Sequence, residues 1–362
     1  MIPSESTDYE YHLSGRSILL VYLFPGIGDA LLLIPVIQAL LRAGVSQPIG
    51  VALRHLPRKM LSLVDLPVRF HSFPEVLVAQ EYTNITEPIG PPKVQDADQV
   101  SFAFHQIVSE IRASEYDLAA DLTLKKGIDS RRLVLESGAR TTAGWIWPDE
   151  DPSASGLSST TRDCRNECRF HWSQYCAFPL ERFGISTVPC SVNWKIPSQS
   201  ANQAACLWHK DSLRRAVLIP GGRLDYQRWP LTLFVNLGRW LEEELGCAIV
   251  VCGAPNEQVL VENICDKLSS FAAPHFGDDI GTLTALVTTA NLVLSNNTGP
   301  MHIAFAERVP TVALFNEISP VVWGPFHQFR DCLILQHGDN SSSDDTERFL
   351  DRIKTFCRLV LS

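Results

Sequence analysis

The chain has 362 residues, 45% of them hydrophobic and 20% charged, which supplies a sizeable core and excludes a disordered chain or a disulfide-stapled miniprotein. At about 150 residues per domain, the length predicts two domains. Lys and Arg number 31 against 40 Asp and Glu, a net charge of −9, which excludes a general nucleic-acid binder but not a local basic pocket for a phosphorylated ligand.

Residues 1–16 read as a polar extension with Glu5, Asp8, Glu10 and no apolar run, so no signal peptide is expected. Residues 17–23 form a continuous apolar run, the pattern of a parallel strand buried on both faces. Pro25-Gly26-Ile27-Gly28 then forces a turn, and a helix is expected over 29–41, ending at Gly44. Pro25, Asp29 and Pro35 interrupt the apolar stretch 18–41, and a carboxylate near its centre is costly in lipid. Strand, turn and helix therefore fit better than a membrane span, and a soluble, cytoplasmic protein is expected. Strands are also predicted at 48–53 and 116–121, and helices at 100–113 and 130–137. Residues 148–163, rich in Ser, Asp, Pro and Thr, read as a mobile surface loop. A helix over 171–183 follows, and 186–205 reads as the domain linker.

In the second half, strands are predicted at 216–219, 248–252, 292–295 and 311–315. Helices are predicted at 231–245, 256–268, 283–290 and from 299 to 306. Residues 339–346 read as an acidic loop before a last helix over 347–361. Strands alternating with helices imply doubly wound parallel sheets, one in each half: two Rossmann-like domains. Cys206, Cys247, Cys252 and Cys265 sit in apolar runs, the pattern of buried thiols in a reducing compartment.

Three segments carry candidate chemistry, because ligands of open α/β sheets bind beyond the carboxyl ends of the strands. In the first, Gly26 and Gly28 allow backbone to approach a ligand and Asp29 opens a helix, either as a functional carboxylate or as a simple cap. The spacing is not the G-x-G-x-x-G dinucleotide fingerprint. In the second, Pro220-Gly221-Gly222-Arg223 with Gln227-Arg228-Trp229-Pro230 offers backbone N–H groups and two guanidiniums suited to a diphosphate, or a plain solvated loop. In the third, Asn297, Thr298 and Gly299 begin a helix whose positive end stabilises a leaving phosphate without a metal, with His302 one turn on. Capping and packing are the bland alternatives. Cys164, Cys168, Cys176 and Cys190 fall within 27 residues, but their spacing lacks a C-x2-C knuckle, so no metal site is expected.

Together these segments resemble glycosyltransferase family nine, the lipopolysaccharide ADP-heptose heptosyltransferases. The likeness runs from Ile18-Leu19-Leu20-Val21 through Gly26-Ile27-Gly28-Asp29-Ala30-Leu31 and Pro35, then Pro220-Gly221-Gly222 with Arg228-Trp229-Pro230. It continues at Gly253-Ala254-Pro255-Asn256-Glu257, Asn297 to Ala304, Pro310 to Phe315 and Trp323-Gly324-Pro325. The resemblance implies an α/β protein of GT-B fold, two Rossmann-like domains facing a central cleft. The expected divisions are 1–16, an acceptor domain 17–195, a nucleotide-sugar domain 196–345 and a C-terminal helix 346–362.

It further implies an inverting, metal-independent transfer of heptose from ADP-heptose to a sugar hydroxyl in lipopolysaccharide or cell-surface glycan assembly. No cofactor is expected. The partners are a nucleotide sugar and a glycan or glycolipid acceptor, with at most peripheral membrane contact at the inner face of the cytoplasmic membrane. Asp29 matches the family's general base. Gly26, Gly28, Gly222, Arg223, Gln227, Arg228, Glu257, Asn297, Thr298, Gly299 and His302 fall on the donor side, with Glu257 at the ribose. Two positions depart from the pattern: Gln227 stands where many members have Lys, and Asn297 where they usually have Asp. A different nucleotide sugar with a secondary-metabolite or protein acceptor, or a non-catalytic nucleotide-sugar-binding protein, are the alternative readings.

Overall fold

The structure is a computed structural model and describes residues 13–74, 97–123, 129–162, 169–208, 214–222, 225–268, 272–277, 279–316, 318–326, 329–336 and 343–362. In the first half the chain runs through β1 (Ile18–Tyr22), α1 (Ile27–Arg42), β2 (Ile49–Leu53), α2 (His55–Leu61), β3 (Val68–Ser72) and α3 (Ala97–Arg112). It continues with β4 (Leu118–Asp121), α4 (Ser130–Glu136), β5 (Thr141–Ile146), β6 (Ser159–Arg162) and α5 (Trp172–Ala177). The second half holds α6 (Ser198–Leu207), β7 (Arg214–Ile219), α7 (Leu231–Leu245), β8 (Cys247–Gly253), α8 (Gln258–Cys265) and β9 (Ala273–Phe276). After these come α9 (Ile280–Thr288), β10 (Leu292–Asn296), α10 (Gly299–Glu307), β11 (Thr311–Phe315), α11 (Pro320–Trp323), β12 (Cys332–Gln336) and α12 (Ser343–Val360).

The strands form two six-stranded sheets, ordered β3-β2-β1-β4-β5-β6 and β12-β11-β10-β7-β8-β9, with every pairing parallel. Numbered within its own half, the second sheet repeats the order of the first. This is the doubly wound arrangement, whose strand order reverses between β1 and β4 and again between β7 and β10. The inner strands β1, β2, β4, β10 and β11 are buried along their whole length because helices cover both faces. Among the described residues no helix is long and apolar enough to cross a membrane.

Several sequence expectations are corrected. Residues 148–163 are not simply a loop: a 3-10 turn spans Pro152–Ser155, and β6 pairs with β5 from Ala143↔Ser159 to Ile146↔Arg162. The expected linker 186–205 is partly ordered. Trp194 bridges to Val64, Lys195 N–H donates to Leu63 O, and α6 begins at Ser198. The helix expected over 171–183 is α5 followed by a 3-10 turn, Phe178–Phe183, because Pro179 cannot continue the α hydrogen-bond ladder. The helix expected from 256 opens as a 3-10 turn, Pro255–Glu257. The last helix begins at Ser343 and its Ile353 and Cys357 pack into the core of the second sheet. Cys206 is exposed rather than buried, Cys265 is half-buried, and Cys247 and Cys252 are buried. Cys176 is buried and Cys190 half-buried, whereas Cys164 and Cys168 lie outside the described residues.

The two halves meet along one side. The rings of Trp172 and Trp323 stack at 4.4 Å and 19°. His171 donates from Nε2 to Gly324 O at 3.0 Å and stacks on Phe326 at 4.5 Å. Trp194 Nε1 donates to Glu307 Oε2 at 2.8 Å. The start of α1 lies against the start of α10.

Candidate active site

Apart from Glu257, which follows β8, the candidate residues come from segments at the carboxyl ends of strands that flank the two order reversals. The Phe24–Gly28 turn follows β1, the Pro220–Gly222 turn follows β7, and Asn297 and Thr298 follow β10. A parallel sheet leaves its crevice at these points because successive helices depart to opposite faces.

Asp29 occupies the first turn of α1. Its Oδ2 accepts from Gly26 N–H at 2.8 Å, so the carboxylate is anchored to the backbone of the preceding turn. Gly26 has an ordinary extended conformation (φ −86°, ψ 152°), yet a Cβ there would stand 2.6 Å from Asp29 Oδ2. Glycine is needed for space beside the carboxylate, not for backbone freedom. Near it is Tyr22, buried at the end of β1, whose hydroxyl accepts from Trp172 Nε1 at 2.9 Å. Burial pushes the Tyr22 phenol well above its usual range, and the neighbouring Cys176 and Asp29 push it further. Tyr22 is thus a neutral hydroxyl close enough to feel the Asp29 charge.

On the other side, Glu257 ties two turns together. Its Oε1 accepts from Gly222 N–H and its Oε2 from Ala254 N–H, each at 2.9 Å. Gly221 permits this approach, since a Cβ there would come within 2.2 Å of the carboxylate. Arg228 donates from Nε to Gly222 O at 2.9 Å, pairs with Asp225 at 2.9 Å and reaches Glu257 Oε1 at 3.5 Å, with 30% of its side chain exposed. Gln227 is half-buried in the short turn Asp225–Gln227. Arg223 lies outside the described residues.

Asn296 carries structural weight that the sequence reading missed. Its fully buried amide donates to Pro220 O at 2.7 Å and accepts from Trp229 N–H at 3.1 Å. Trp229 Nε1 in turn donates to Phe315 O at 3.3 Å. One side chain therefore holds the Gly221–Gly222 turn and the Arg228–Trp229 segment onto the end of β10. The only sequence signal was a polar amide closing the apolar run Leu292-Val293-Leu294.

Asn297 is half-buried, and its N–H donates to Leu314 O at 3.0 Å. Thr298 caps α10 with an extended backbone but makes no side-chain cap bond, and its hydroxyl is buried without a hydrogen-bond partner. A buried unsatisfied hydroxyl at a helix N-terminus calls for a polar ligand. His302 is 7% exposed, packs edge-on to Phe305 at 5.9 Å and borders a cavity of about 50 Å³ with Leu31, Pro35, His171 and Phe326. Burial, with a contribution from His171, lowers its pKa to about 3, so it is neutral at neutral pH. Gly28, Gly299 and His302 touch one another: a Cβ on Gly28 would lie 2.6 Å from His302 Cδ2 and 3.0 Å from Gly299 Cα.

The structure thus brings the candidates into three connected groups: Gly26 with Asp29, Gly28 with Gly299 and His302, and Gly222 with Arg228 and Glu257. Among the described residues no group of three or more His, Cys, Asp or Glu side chains is placed to hold a metal ion.

Residues 104–351, well over half of the chain, match glycosyltransferase family 9 (heptosyltransferase). The chain belongs to this family. The match includes Arg228, Glu257 and the 297–302 segment but begins after Asp29. Solved structures extend the likeness in fold to the first half. A glycosyl transferase family 9 protein from Veillonella parvula superposes with a TM-score of 0.74 at 18% identity, covering 97% of this chain and 98% of that one. The ADP-heptose lps heptosyltransferase II of E. coli gives 0.69 at 17%, covering 96% and 100%. E. coli heptosyltransferase WaaC with ADP gives 0.67 at 14%, covering 93% and 99%. No curated protein matches the sequence. This family 9 glycosyltransferase therefore has the GT-B fold, with its candidate site between two doubly wound sheets.

Proposed function

We propose that this glycosyltransferase moves a heptose from ADP-heptose to a sugar hydroxyl of a lipopolysaccharide or other cell-surface glycan, with inversion at the anomeric carbon and without a metal ion or cofactor. The observation that carries the reading is the meeting of two helix starts. Asp29 follows Gly28 in the first turn of α1, and Gly28 lies against Gly299 at the N-terminus of α10, where the Thr298 hydroxyl lacks a partner.

Asp29 accepts the proton of the acceptor hydroxyl as its oxygen attacks the anomeric carbon. The bond from that carbon to the nucleoside diphosphate breaks on the opposite face, and its electrons leave with the diphosphate. A carboxylate is a weak base towards a free alcohol, but the proton becomes acidic as the new C–O bond forms. Positive charge builds on the sugar in an oxocarbenium-like transition state, as in other glycosyl chemistry. The departing diphosphate is met by the N–H groups that open α10, by the Thr298 hydroxyl and by Arg228, a donor set that neutralises charge without a cation. Glu257 keeps lone pairs beyond the two it gives to Gly222 and Ala254, and these accept from the ribose hydroxyls.

Gln227 and Asn297 favour a second reading, a different nucleotide sugar, because both lie at the donor turns and neither carries the charge usual there. A thermal-shift panel of ADP, UDP and GDP with their sugars separates the two. Ligand at a hundred times its Kd stabilises the native state by about 2.7 kcal/mol, a shift of several degrees. ADP and ADP-heptose are expected to raise Tm and the others to leave it unchanged. A shift with a UDP or GDP sugar alone overturns the ADP-heptose assignment.

A further inference from the structure

Gly28 was expected to let backbone approach a ligand and Gly299 to offer an N–H at the start of a helix; the structure also places the two against each other, where two helices approach closely. A Cβ on Gly28 would meet Gly299 Cα at 3.0 Å as well as His302 Cδ2 at 2.6 Å. A Cβ on Gly299 would meet Ile27 Cγ1 at 2.6 Å and Gly28 N at 3.1 Å. The backbone contacts at 3.0 and 3.1 Å are tighter than most Cβ contacts, and the 2.6 Å contacts make the His302 and Ile27 side chains shift, so a side chain on either residue strains the junction and moves the helix starts apart by a few tenths of an ångström. Neither glycine has a positive φ, so backbone conformation does not demand them. Both stand in the first turn of a helix, where propensity alone favours alanine. What the pair gains by lacking side chains is contact between the two halves of the molecule, directly beside Asp29 on one side and Thr298 on the other.

We infer that Gly28 and Gly299 are positioning residues: their bare contact sets the separation between the Asp29 carboxylate and the N-terminus of α10. The role needs no side chain on the substrate, and the Gly299 N–H that opens α10 is kept when alanine replaces it. A shift of a few tenths of an ångström at this contact moves the base away from the sugar carbon while leaving the turns that bind the nucleotide intact; a full ångström would cost about a hundredfold in rate, and a partial shift a smaller factor. The functional half of this inference rests on Asp29 as base and on α10 as the phosphate site; the contact itself does not.

The test uses the full chain with Gly28→Ala, Gly299→Ala and the double variant. Hydrogen exchange is read on peptides covering 27–34 and 299–306, alongside ADP affinity and transfer from ADP-heptose to heptose-deficient lipopolysaccharide. Gly28→Ala is expected to quicken exchange in both peptides, although helix propensity alone would slow it in the first. ADP Kd is expected to stay within twofold while kcat falls severalfold with little change in the donor KM. Because both substitutions open one contact, the double variant is expected to lose far less than the product of the single losses. Unchanged exchange in 299–306, or fully multiplicative losses, overturns the spacer. Loss of ADP binding in Gly28→Ala also overturns it, making Gly28 a donor contact instead. Failure of the base assignment is separate: Asp29→Asn then turns over at the wild-type rate while the exchange changes in Gly28→Ala persist.

Discussion

Asp121 keeps a carboxyl group where water does not reach, at the end of β4 next to β1. Its Oδ1 accepts from Thr123 N–H at 2.9 Å and its Oδ2 from Ser130 Oγ at 3.0 Å. The Thr123 hydroxyl accepts from Leu23 N–H at 2.9 Å and so ties β4 to the strand that leads into the Asp29 turn. Burial outweighs these bonds and lifts the Asp121 pKa from 3.8 to about 6. The native state therefore binds this proton more tightly than the unfolded chain does. The group removes stability as pH rises from about 4 to about 6, and the cost is complete above that. A rise of this size in the native pKa corresponds to about 3 kcal/mol. Asp121→Asn keeps the shape, accepts from Thr123 N–H and donates to the Ser130 hydroxyl. It is expected to raise stability at pH 8 by up to that amount and to change little at pH 4, measured by urea unfolding at both values. Equal effects at the two pH values would contradict the assignment. None of this was legible in Ala119-Ala120-Asp121-Leu122, which reads as a strand end, because burial of a carboxyl depends on what packs over it.

The elements divide by how they are covered. Strands buried on both faces announce themselves as apolar runs, and β1, β2, β4, β7, β8, β10 and β11 were legible for that reason. The edge strands β3, β6 and β9 were missed because each is half exposed and carries polar residues such as Arg69, Thr160 and His275, whereas the edge strand β12, Cys332–Gln336, is an apolar run that the reading passed over. β5 was missed through Gly144, which sits in a tight spot: a Cβ there would stand 3.0 Å from Leu157 Cδ1 and 3.1 Å from Asp121 Cβ. The donor loops were legible as glycine turns, but the staple that orders them was not. Asn296→Asp cannot donate to Pro220 O and buries a charge, so it is expected to destabilise the second half by about 3 kcal/mol or more. Denaturant unfolding reads this directly, and ADP binding should weaken in parallel as the turns loosen. Wild-type stability in this variant would show that the amide nitrogen donates nothing there.

The whole molecule assembles its candidate site from two halves, neither of which holds it alone. Asp29, Gly26 and Tyr22 belong to the first sheet; Arg228, Glu257, Thr298 and His302 belong to the second. The Trp172–Trp323 stack, worth about 1 kcal/mol beyond its buried area, and the His171–Gly324 bond hold the halves together along one side. The pairing of halves was foreseeable only through the family resemblance, since no periodicity in one strand-helix series says which face another will meet. The glycine contact between α1 and α10 and the order reversals became visible only when both sheets were in place. The claim that joins the halves is that Asp29 supplies the base and the second half supplies the donor site, and Asp29→Asn tests it most directly. Asparagine keeps the Gly26 N–H bond through its carbonyl oxygen but cannot take a proton. The account predicts that ADP Kd stays within about twofold of wild type while kcat falls by at least about a thousandfold, combining the loss of a proton acceptor with the loss of its negative charge beside the forming cation. Turnover within tenfold of wild type would contradict it.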